Sequence, residues 1–403
     1  MKGYSDIPEL HHNVLRRMTA DMDAQMPKMM FSNMFSPVRI ESDQATWEIE
    51  LGSTGMSPFT VPGAPAPVVG IDGFRSGNAK VAYWSEKTFF DEVFLNNLRK
   101  VGTLEKDSAQ NQLGRQLRKL IYRSQRRKEW MCAKAVVDGG FTYNAPGKAG
   151  TFYVNYGRPE ANSVALDVDR KWGTGTQRNP IEDVMDAKLF MSDMYGISNM
   201  TAVINTATLK LMLMDSKIND LLKKSNFGNG DLYSNPAAVI GTLLGVGTLQ
   251  LNDDSFEVET FVMNVSGTTI TVDDASQFEV GGRVQYRAAS ERYDSIIQKI
   301  TAVDPVANTV TVDKAFTPAV TPGRDKLVMR KKYIDDNKFV LMADSFQGIR
   351  SEFYYAPFGL NGQYDMYTDT WEDTDPDGVY LRVQNKGMPI IYNPQTVFTL
   401  TVA

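Results

Sequence analysis

The 403-residue chain has few of the side chains that metal centres and covalent catalysis normally use. It contains a single cysteine, Cys132, and two histidines, the adjacent His11 and His12. Soft metal ligands and the usual general bases are therefore scarce, which disfavours an enzyme, although carboxylates and lysines can also transfer protons. Because one cysteine cannot form an internal disulfide, we expect a protein assembled in a reducing cytoplasm.

Long hydrophobic runs and an excess of basic charge are also absent. No apolar stretch approaches the roughly 20 residues that cross a bilayer, and residues 1–18 lack the apolar core and cleavage site of a signal peptide. The net charge of −5 disfavours a dedicated nucleic-acid binder, since such proteins are usually basic. The length is sufficient for two or three domains of ordinary globular composition.

The chain begins with two segments that have the character of extended appendages. Residues 1–40 predict an arm whose helix is limited by Pro27. Residues 46–51 alternate like a half-exposed strand, a long stretch rich in Gly, Pro and Ala follows, and residues 80–84 predict a returning strand. We interpret residues 41–85 as a functional flap, because a loop of this length is uncommon inside a compact domain.

The strongest helical signal covers residues 104–138. Apolar or small residues recur there every three or four positions, no proline intervenes, and Gly139 and Gly140 provide a stop signal. The predicted rod of about 45 Å would be about three times longer than an average globular helix. Its opposite face is basic and consists of Arg115, Arg118, Lys119, Arg123, Arg126, Arg127 and Lys128.

This basic face has two possible uses. It could bind nucleic acid, because its cations would displace counterions from a phosphate backbone. Only Tyr122 and Trp130 could stack on bases, and packing explains both aromatic residues equally well. A solvated face, or one that pairs with acidic residues of a neighbouring molecule, is the better interpretation.

The second half of the chain alternates between strand and helix signals, as in α+β or α/β folds. The pattern changes between residues 255 and 327, where five short strands separated by turn residues predict a small all-β barrel or sandwich inserted into the main fold. The predicted elements outside this insertion are strands at 151–154, 163–168, 201–205, 339–342, 379–383 and 397–402, and helices at 181–194 and 206–224.

Motifs that would carry chemistry are incomplete. Residues 146–150, PGKAG, lack the first glycine and the hydroxyl residue of a phosphate loop. Residues 373–378 match the first half of a calcium loop, but Gln384 stands where a bidentate Glu is required, which favours an Asp-rich surface turn. Cys132 is interpreted as a small core residue. We therefore predict no catalytic residue, no metal site and no cofactor.

The order of these parts resembles the tailed-bacteriophage major capsid proteins with the Hong Kong 97-type fold, and among them the lambda-like major capsid protein E group. The likeness rests on Lys171-Trp172, on residues 179–183, on the strand at 202–205 with its following helix, and on residues 382–394. It implies an α+β fold with the named parts of that family. These would be the N-arm at 1–40, the E-loop flap at 41–85, the P-domain at 86–180 with the spine helix 104–138, the A-domain at 181–254 and 328–403 with return strands to the P-domain, and the inserted β domain at 255–327.

The resemblance also implies a function: a major capsid protein that forms homo-oligomeric hexamers and pentamers and builds an icosahedral shell around double-stranded DNA, without sequence-specific binding. Expected partners are scaffold, portal and decoration proteins, with no membrane, and the expected location is the virion capsid after assembly in the host cytoplasm. The family's covalent cross-link is not expected, because residues 52–76 contain no lysine. Candidate inter-subunit contacts are Arg115, Arg118, Arg126, Arg127, Phe59 and Val61.

Other classes of protein stay open on the sequence alone. An encapsulin-like nanocompartment has the same fold, but the β insertion and the lambda-like segments favour a virion. A phage tail or adhesion protein would use residues 255–327 as a binding module, but the long helix and the central α+β region argue against it. An enzyme based on Asp or Glu would need converging carboxylates, of which the sequence shows no trace.

Overall fold

The computed structural model describes residues 7–27, 29–49, 59, 75–100, 103–144, 151–224, 235–288, 296–316, 320–344, 350–359, 362–375 and 377–403. Within these ranges, no helix is both long enough and apolar enough to span a membrane. The helices are α1 (His12–Gln25), α2 (Glu92–Arg99), α3 (Leu104–Asp138), α4 (Pro180–Tyr195), α5 (Thr206–Leu213), α6 (Ser216–Lys224) and α7 (Pro236–Leu243). The strands are β1 (Ser36–Arg39), β2 (Gln44–Ile49), β3 (Arg75–Lys80), β4 (Ala82–Asp91), β5 (Gly140–Asn144), β6 (Thr151–Asn155), β7 (Ser163–Ala165), β8 (Met200–Ile204), β9 (Thr248–Leu251), β10 (Ser255–Ser266), β11 (Thr269–Val272), β12 (Arg283–Arg287), β13 (Gln298–Asp304), β14 (Thr309–Val312), β15 (Lys326–Lys332), β16 (Lys338–Ala343), β17 (Ser351–Tyr355), β18 (Tyr367–Thr374), β19 (Asp377–Ile391) and β20 (Val397–Thr401).

The strands form two open sheets, a closed barrel and two separate hairpins. The first sheet has the order β1-β17-β19-β18, with β4 also paired to β19, and the second has the order β7-β20-β16-β8-β9. The barrel closes in the order β10-β11-β14-β13-β12-β15. The hairpins are β2–β3 and β5–β6. Helices and strands are therefore mixed around the two sheets, whereas the barrel is purely β.

Helix α3 is 35 residues long, and local chemistry defines both of its ends. The Thr103 hydroxyl accepts a hydrogen bond from the Lys106 N–H at 3.3 Å, and Gly139 ends the helix in the left-handed conformation at φ +73°. Arg158 donates to the Val137 carbonyl at 2.9 Å and so satisfies one of the carbonyls that a helix end leaves without a partner. The helix predicted at 104–138 is confirmed.

Helix α3 belongs to two hydrophobic cores. Its first half packs against α1, α2 and β19. Its second half packs against β5, β17 and the end of β19. Both halves bury side chains completely: Leu113, Leu117, Ile121, Cys132, Ala135 and Val136. The placement of Cys132 in the core is confirmed, and the helix acts as a shared axis for two regions that would otherwise pack separately.

A third core lies between the second sheet and the helices α4, α5 and α7. At its edge, Trp172 is buried and donates through Nε1 to the Asp183 carboxylate at 2.8 Å. Arg170 binds the same carboxylate. Burial raises the pKa of Asp183, although both donors oppose this shift. Two of the segments that carry the sequence resemblance are thus joined by a buried hydrogen bond.

The chain enters and leaves the barrel through two neighbouring strands. Its first and last strands, β10 and β15, pair antiparallel from Ser255↔Lys332 to Phe261↔Lys326. Just outside this pair, the Tyr333 N–H donates to the Asp254 carbonyl at 3.2 Å. Alternate residues of the strands fill the barrel interior with apolar side chains. Because β15 closes the barrel, its strands extend beyond the predicted boundary at 327.

The prediction that residues 80–84 form the returning strand of the flap is wrong. Of residues 80–84 only Lys80 pairs with β2, whose partner is β3, while β4 pairs with β19. The sequence of β3, RSGNAK, is polar and carries no alternating signal. Its Gly77 lies so close to Trp47 that a Cβ there would stand 2.4 Å from the indole ring, which explains why this position has no side chain.

The helix predicted at 206–224 is interrupted. The Asp215 carboxylate accepts hydrogen bonds from the N–H groups of Lys217 at 2.9 Å and Ile218 at 3.4 Å, so it starts a new helix after α5. The strand predicted at 163–168 is shorter than expected, since β7 ends at Ala165. The other predicted helices and strands are confirmed within a few residues, although β10 and β19 are longer than expected. The elements without a prediction are α2, α7, β1, β3, β5, β9, β15, β17 and β18.

Candidate interaction surface on the long helix

The two aromatic residues of the basic face of α3 are covered by its own arginines. The Arg126 guanidinium lies 4.5 Å from the centre of the Tyr122 ring, and the Arg127 guanidinium lies 5.3 Å from that of Trp130. Cation–π contacts of this kind hold the guanidinium over the ring face. Trp130 also packs edge-on against Phe141. One face of each ring is therefore occupied by an arginine of the helix itself, which reduces the surface on which a nucleic-acid base could stack.

Arg123 joins the helix to carboxylates on two other elements. Its Nη2 donates to Glu86 Oε1 of β4 at 2.8 Å and to Glu259 Oε1 of β10 at 2.7 Å. Burial disfavours the charged guanidinium, but the two carboxylates outweigh this effect and raise the pKa of Arg123. One side chain thus connects the long helix, the first sheet and the barrel.

Arg287 of β12 extends this network across the barrel wall. It is 5% exposed and donates to Glu257 Oε2 at 2.6 Å and to Glu259 Oε2 at 2.8 Å. Burial favours the neutral acid of Glu259, but the neighbouring cations, Arg123 first, outweigh it and lower the pKa of this carboxyl. We call the following set the charge clamp: Glu86, Arg123, Glu257, Glu259 and Arg287.

The alternation of side chains along the barrel strands places the three barrel residues of the charge clamp on the outer face of the barrel. Glu257 and Glu259 flank Val258, which points into the barrel, so both carboxylates lie on its outer face. Arg287 follows the inward-facing Tyr286 and is likewise outside the barrel. Sequence reasoning missed these three residues. The signal was present as two carboxylates two positions apart on a strand whose alternate residues are apolar.

A cleft of about 470 Å³ lies beside the charge clamp, between α3 and the barrel. Six of its eight lining residues are cations and one is a carboxylate, so the cleft is strongly positive. In the described part of the chain, Arg115, Arg118 and Arg126 form no ion pair. We call this site the basic cleft, and its lining residues are Arg115, Arg118, Lys119, Tyr122, Arg123, Arg126, Glu257 and Arg287.

The basic cleft contains three of the four arginines that the sequence singled out as candidate contacts. Arg127 is not part of it. Phe59 is fully exposed, and Val61 lies outside the described residues. The assignment of these six residues to inter-subunit contacts stays a prediction. Among the residues that the structure describes, no group of three or more His, Cys, Asp or Glu is arranged to hold a metal ion.

Glu129 connects the N-terminal arm to α3. Its side chain is completely buried, and its carboxylate accepts hydrogen bonds from the backbone N–H groups of Phe31 at 2.7 Å and Ser32 at 2.6 Å. Burial raises the pKa of Glu129 by more than these two hydrogen bonds lower it. Phe31 is itself part of the core around the second half of α3. The Glu129 carboxylate therefore holds the N-terminal arm against this core.

A family profile described as phage major capsid protein E matches residues 13–279, which is about two thirds of the chain. The chain belongs to this family. It is therefore a phage capsid protein that forms shells, and the resemblance drawn from the sequence is confirmed. The match ends between β11 and β12, inside the barrel. A search of curated protein sequences gave no match.

Solved structures resemble this capsid protein along nearly its whole length. The crystal structure of a candidate prophage capsid protein from Escherichia coli CFT073 is 14% identical, with a TM-score of 0.51 over 98% of this chain and 99% of that chain. A phage-related protein from Bordetella bronchiseptica RB50 is 9% identical, with a TM-score of 0.47 over 96% and 97% of the two chains. The capsid of cyanophage P-SCSP1u is 11% identical, with a TM-score of 0.42 over 93% and 88%. The first likeness shows a shared fold, and the predicted fold class, a phage capsid fold of mixed helices and strands, is confirmed.

The charge clamp predicts a stability defect in Arg123→Met. Removal of the cation leaves the half-buried Glu259 without one of its partners and the exposed Glu86 without its ion pair, so the free energy of unfolding should fall by about 2 kcal/mol. Because the pKa of Glu259 is lowered in the fold, its contribution is present above about pH 4.5 and is lost as the pH falls through the lowered value. Urea unfolding of the unassembled subunit at pH 7 and at pH 3.5 measures both effects. Arg324→Met, at an exposed barrel position, is the control, and an Arg123→Met defect no larger than that of the control would contradict the clamp.

Glu129→Gln should loosen the N-terminal arm. The amide presents an NH2 group where the carboxyl group, ionised or protonated, presents a second oxygen, so one of the two buried N–H groups faces a donor and loses its partner at a cost of about 1–3 kcal/mol. A raised pKa means that the stabilising contribution is complete below about pH 4.5 and declines as the pH rises through the raised value. The deficit of Glu129→Gln relative to the wild type should therefore shrink between pH 4 and pH 8. Urea unfolding against pH tests this, with Glu48→Gln on the exposed side of β2 as control; a deficit that grows with pH would refute the assignment.

Proposed function

We propose that this capsid protein assembles in the host cytoplasm into an icosahedral shell of hexameric and pentameric capsomers that encloses double-stranded DNA. The observation that supports this most is the sharing of α3 between two cores. A shell subunit must hold several contact surfaces at fixed angles, because small angular errors add up around a closed surface. A single helix that runs through two cores, with the barrel bound to its side, provides such a frame.

Different parts of the chain would have different roles in the assembled shell. The arm at 1–40 and the flap at 41–85 would extend over neighbouring subunits, and the P-domain at 86–180 would carry the spine helix. The A-domain, at 181–254 and 328–403, would form the capsomer centre. Extended segments add contact area without a larger core, and many modest contacts make a shell far more stable than any pair of subunits. Arg115, Arg118, Arg126, Arg127, Phe59 and Val61 would lie in these contacts.

Packaged DNA would be enclosed without sequence-specific binding. The net charge of −5 limits non-specific attraction to DNA, and arginines of the helix occupy one face of each aromatic ring on the basic face. We propose a purely structural role, with scaffold, portal and decoration proteins as partners and with no catalytic activity. The inserted barrel would present its outer face to a decoration protein or to an adjacent capsomer.

Expression of the chain, alone and with its scaffold, tests self-assembly directly. We expect closed shells, or rings of five and six subunits, in negative-stain electron microscopy, and matching large particles in light scattering. A uniform monomer of 45.0 kDa under both conditions would contradict the proposal. Shells that form without any phage partner and hold a protein cargo would favour the nanocompartment instead.

Removal of the barrel tests its role in the shell. Because Ser255 pairs with Lys332, a short Gly-Ser linker can replace residues 255–332 without moving Asp254 away from Tyr333. We expect shells that still form but dissociate at lower urea concentration, because the barrel arm of the charge clamp is gone. Sedimentation of shells across a urea series measures this, with Glu259→Gln as a clamp variant that keeps the barrel. Deletion shells as stable as the wild type would mean that the insertion is dispensable for the shell itself.

A further inference from the structure

The basic cleft carries charge that the described part of the chain does not neutralise. Arg123 and Arg287 are bound within the charge clamp. Arg115 and Arg118 are exposed, lie three residues apart on one helix, and form no ion pair in the described ranges, and neither does Arg126. Like charges at this spacing repel each other. An anion supplied from outside the chain would therefore be bound favourably.

The cleft fits a few acidic side chains better than it fits nucleic acid. Its volume of about 470 Å³ lies in the range of pockets that hold small ligands. A single strand would need aromatic faces for its bases, and the lining of the cleft offers one aromatic residue, Tyr122, on which Arg126 already stacks. A duplex would need a basic surface that follows its backbone for many phosphates, which a chain of net charge −5 does not favour.

The chain carries an acidic counterpart at the hairpin between β18 and β19. We call Asp373, Asp375 and Asp377 the acidic tip. Asp375 and Asp377 are exposed, and none of the three forms an ion pair within the ranges that are described. The strands that carry the tip are well supported, because β18 and β19 pair as far as Thr374↔Asp377 and β19 also pairs with β4 from Gly378 onward. The paired strands therefore fix where the acidic residues project from the sheet.

We infer that the basic cleft receives the acidic tip of a second copy of this chain. This inference rests on the proposed function, because shell assembly is what brings copies side by side. Cleft and tip are different surfaces of one chain, so each copy inserts its tip into one neighbour and receives a tip from another. Heterologous contacts of this type close into rings when the rotation between copies is a simple fraction of a turn. Capsomers are rings of this type.

The contact would act mainly by orientation. Its charges are partly exposed, so salt screens them over about 8 Å at physiological ionic strength. Complementary patches of this kind steer partners into register and reject wrong arrangements, in which like charges meet. The tip and the cleft would therefore select the correct neighbour before the larger apolar surfaces close.

The test is the assembly of charge-reversed variants under conditions in which the wild-type chain forms shells. Arg115→Glu with Arg118→Glu reverses the cleft, Asp375→Lys with Asp377→Lys reverses the tip, and a third variant carries all four substitutions. The matched control is Arg283→Glu with Arg324→Glu, since both residues are exposed and lie outside the cleft. Shell yield is measured by sedimentation and electron microscopy, and thermal unfolding of the unassembled subunit shows that each variant folds.

We expect each reversed pair to lower the shell yield about tenfold or more, because like charges would then meet at the contact. The chain with all four substitutions should recover shells, and the control should assemble normally. Unchanged thermal unfolding of the subunit would place the contact between copies. If the two reversed pairs each lowered the melting temperature and the combined chain restored it, the contact would lie within one chain and the inference would be wrong.

Other results would overturn this inference and leave the proposed function intact. Normal shells from the tip-reversed chain would show that the acidic tip is not the partner of the cleft. If the chain with all four substitutions did not recover shells, the tip and the cleft would not bind each other. Cleft-reversed shells that form normally but lose bound nucleic acid would assign the cleft to nucleic acid. A wild-type chain that forms no shells, even with its scaffold, would instead refute the proposed function and the inference with it. The wild-type sample in the same series separates these two failures.

Discussion

A helix of 35 residues is stable only where its apolar stripe is buried along its length, because intrinsic propensity contributes little on its own. In this capsid protein no single core is long enough to bury the stripe of α3. The first half is covered by α1, α2 and β19, and the second half by β5 and β17. Small residues such as Cys132 and Ala135 in the second half let the sheet come close. The two regions cannot separate without exposing part of the helix, so they behave as one body.

Charged side chains then attach the remaining parts to this axis. Glu129 holds the N-terminal arm through two backbone N–H groups, and Arg123 holds both the first sheet and the barrel. Buried ion pairs often add little net stability compared with apolar packing, because desolvation offsets their attraction. They do have direction, since each N–H must point at its oxygen. A barrel attached only by an apolar patch could rotate on the helix, whereas the hydrogen bond from Arg123 to Glu259 fixes its orientation, and Arg287 holds Glu259 in place from within the barrel.

The parts of the fold that could be predicted are those whose cause is local. The spacing of Leu113, Leu117 and Ile121 repeats once per turn, so the helix was readable from the sequence. The polar strand β3 was not, because it is set by Trp47, which requires a glycine opposite. The break at Asp215 was missed because a cap looks like any exposed aspartate until its N–H partners are known.

The candidate site also depends on tertiary contacts that the sequence does not reveal. The sequence located the cations of the helix, but it could not tell Arg123, which is bound on two sides, from Arg118, which forms no ion pair in the described ranges. That difference depends on Glu259, which is far away in the chain and is brought near by the barrel. Charge patterns thus predict where a surface is, while the distribution of partners over that surface requires the tertiary structure.

The paired ends of the barrel have a consequence for how this protein can change over evolutionary time. Since Ser255 and Lys332 are neighbours across two strands, any domain with adjacent termini can occupy this position without altering the register of the host sheets. Recombination between phages could exchange whole modules here, and each exchange would change the inserted domain while the two host sheets stayed the same. A new module would need to provide a carboxylate that binds Arg123. This arginine is therefore the host residue that an exchanged domain must match.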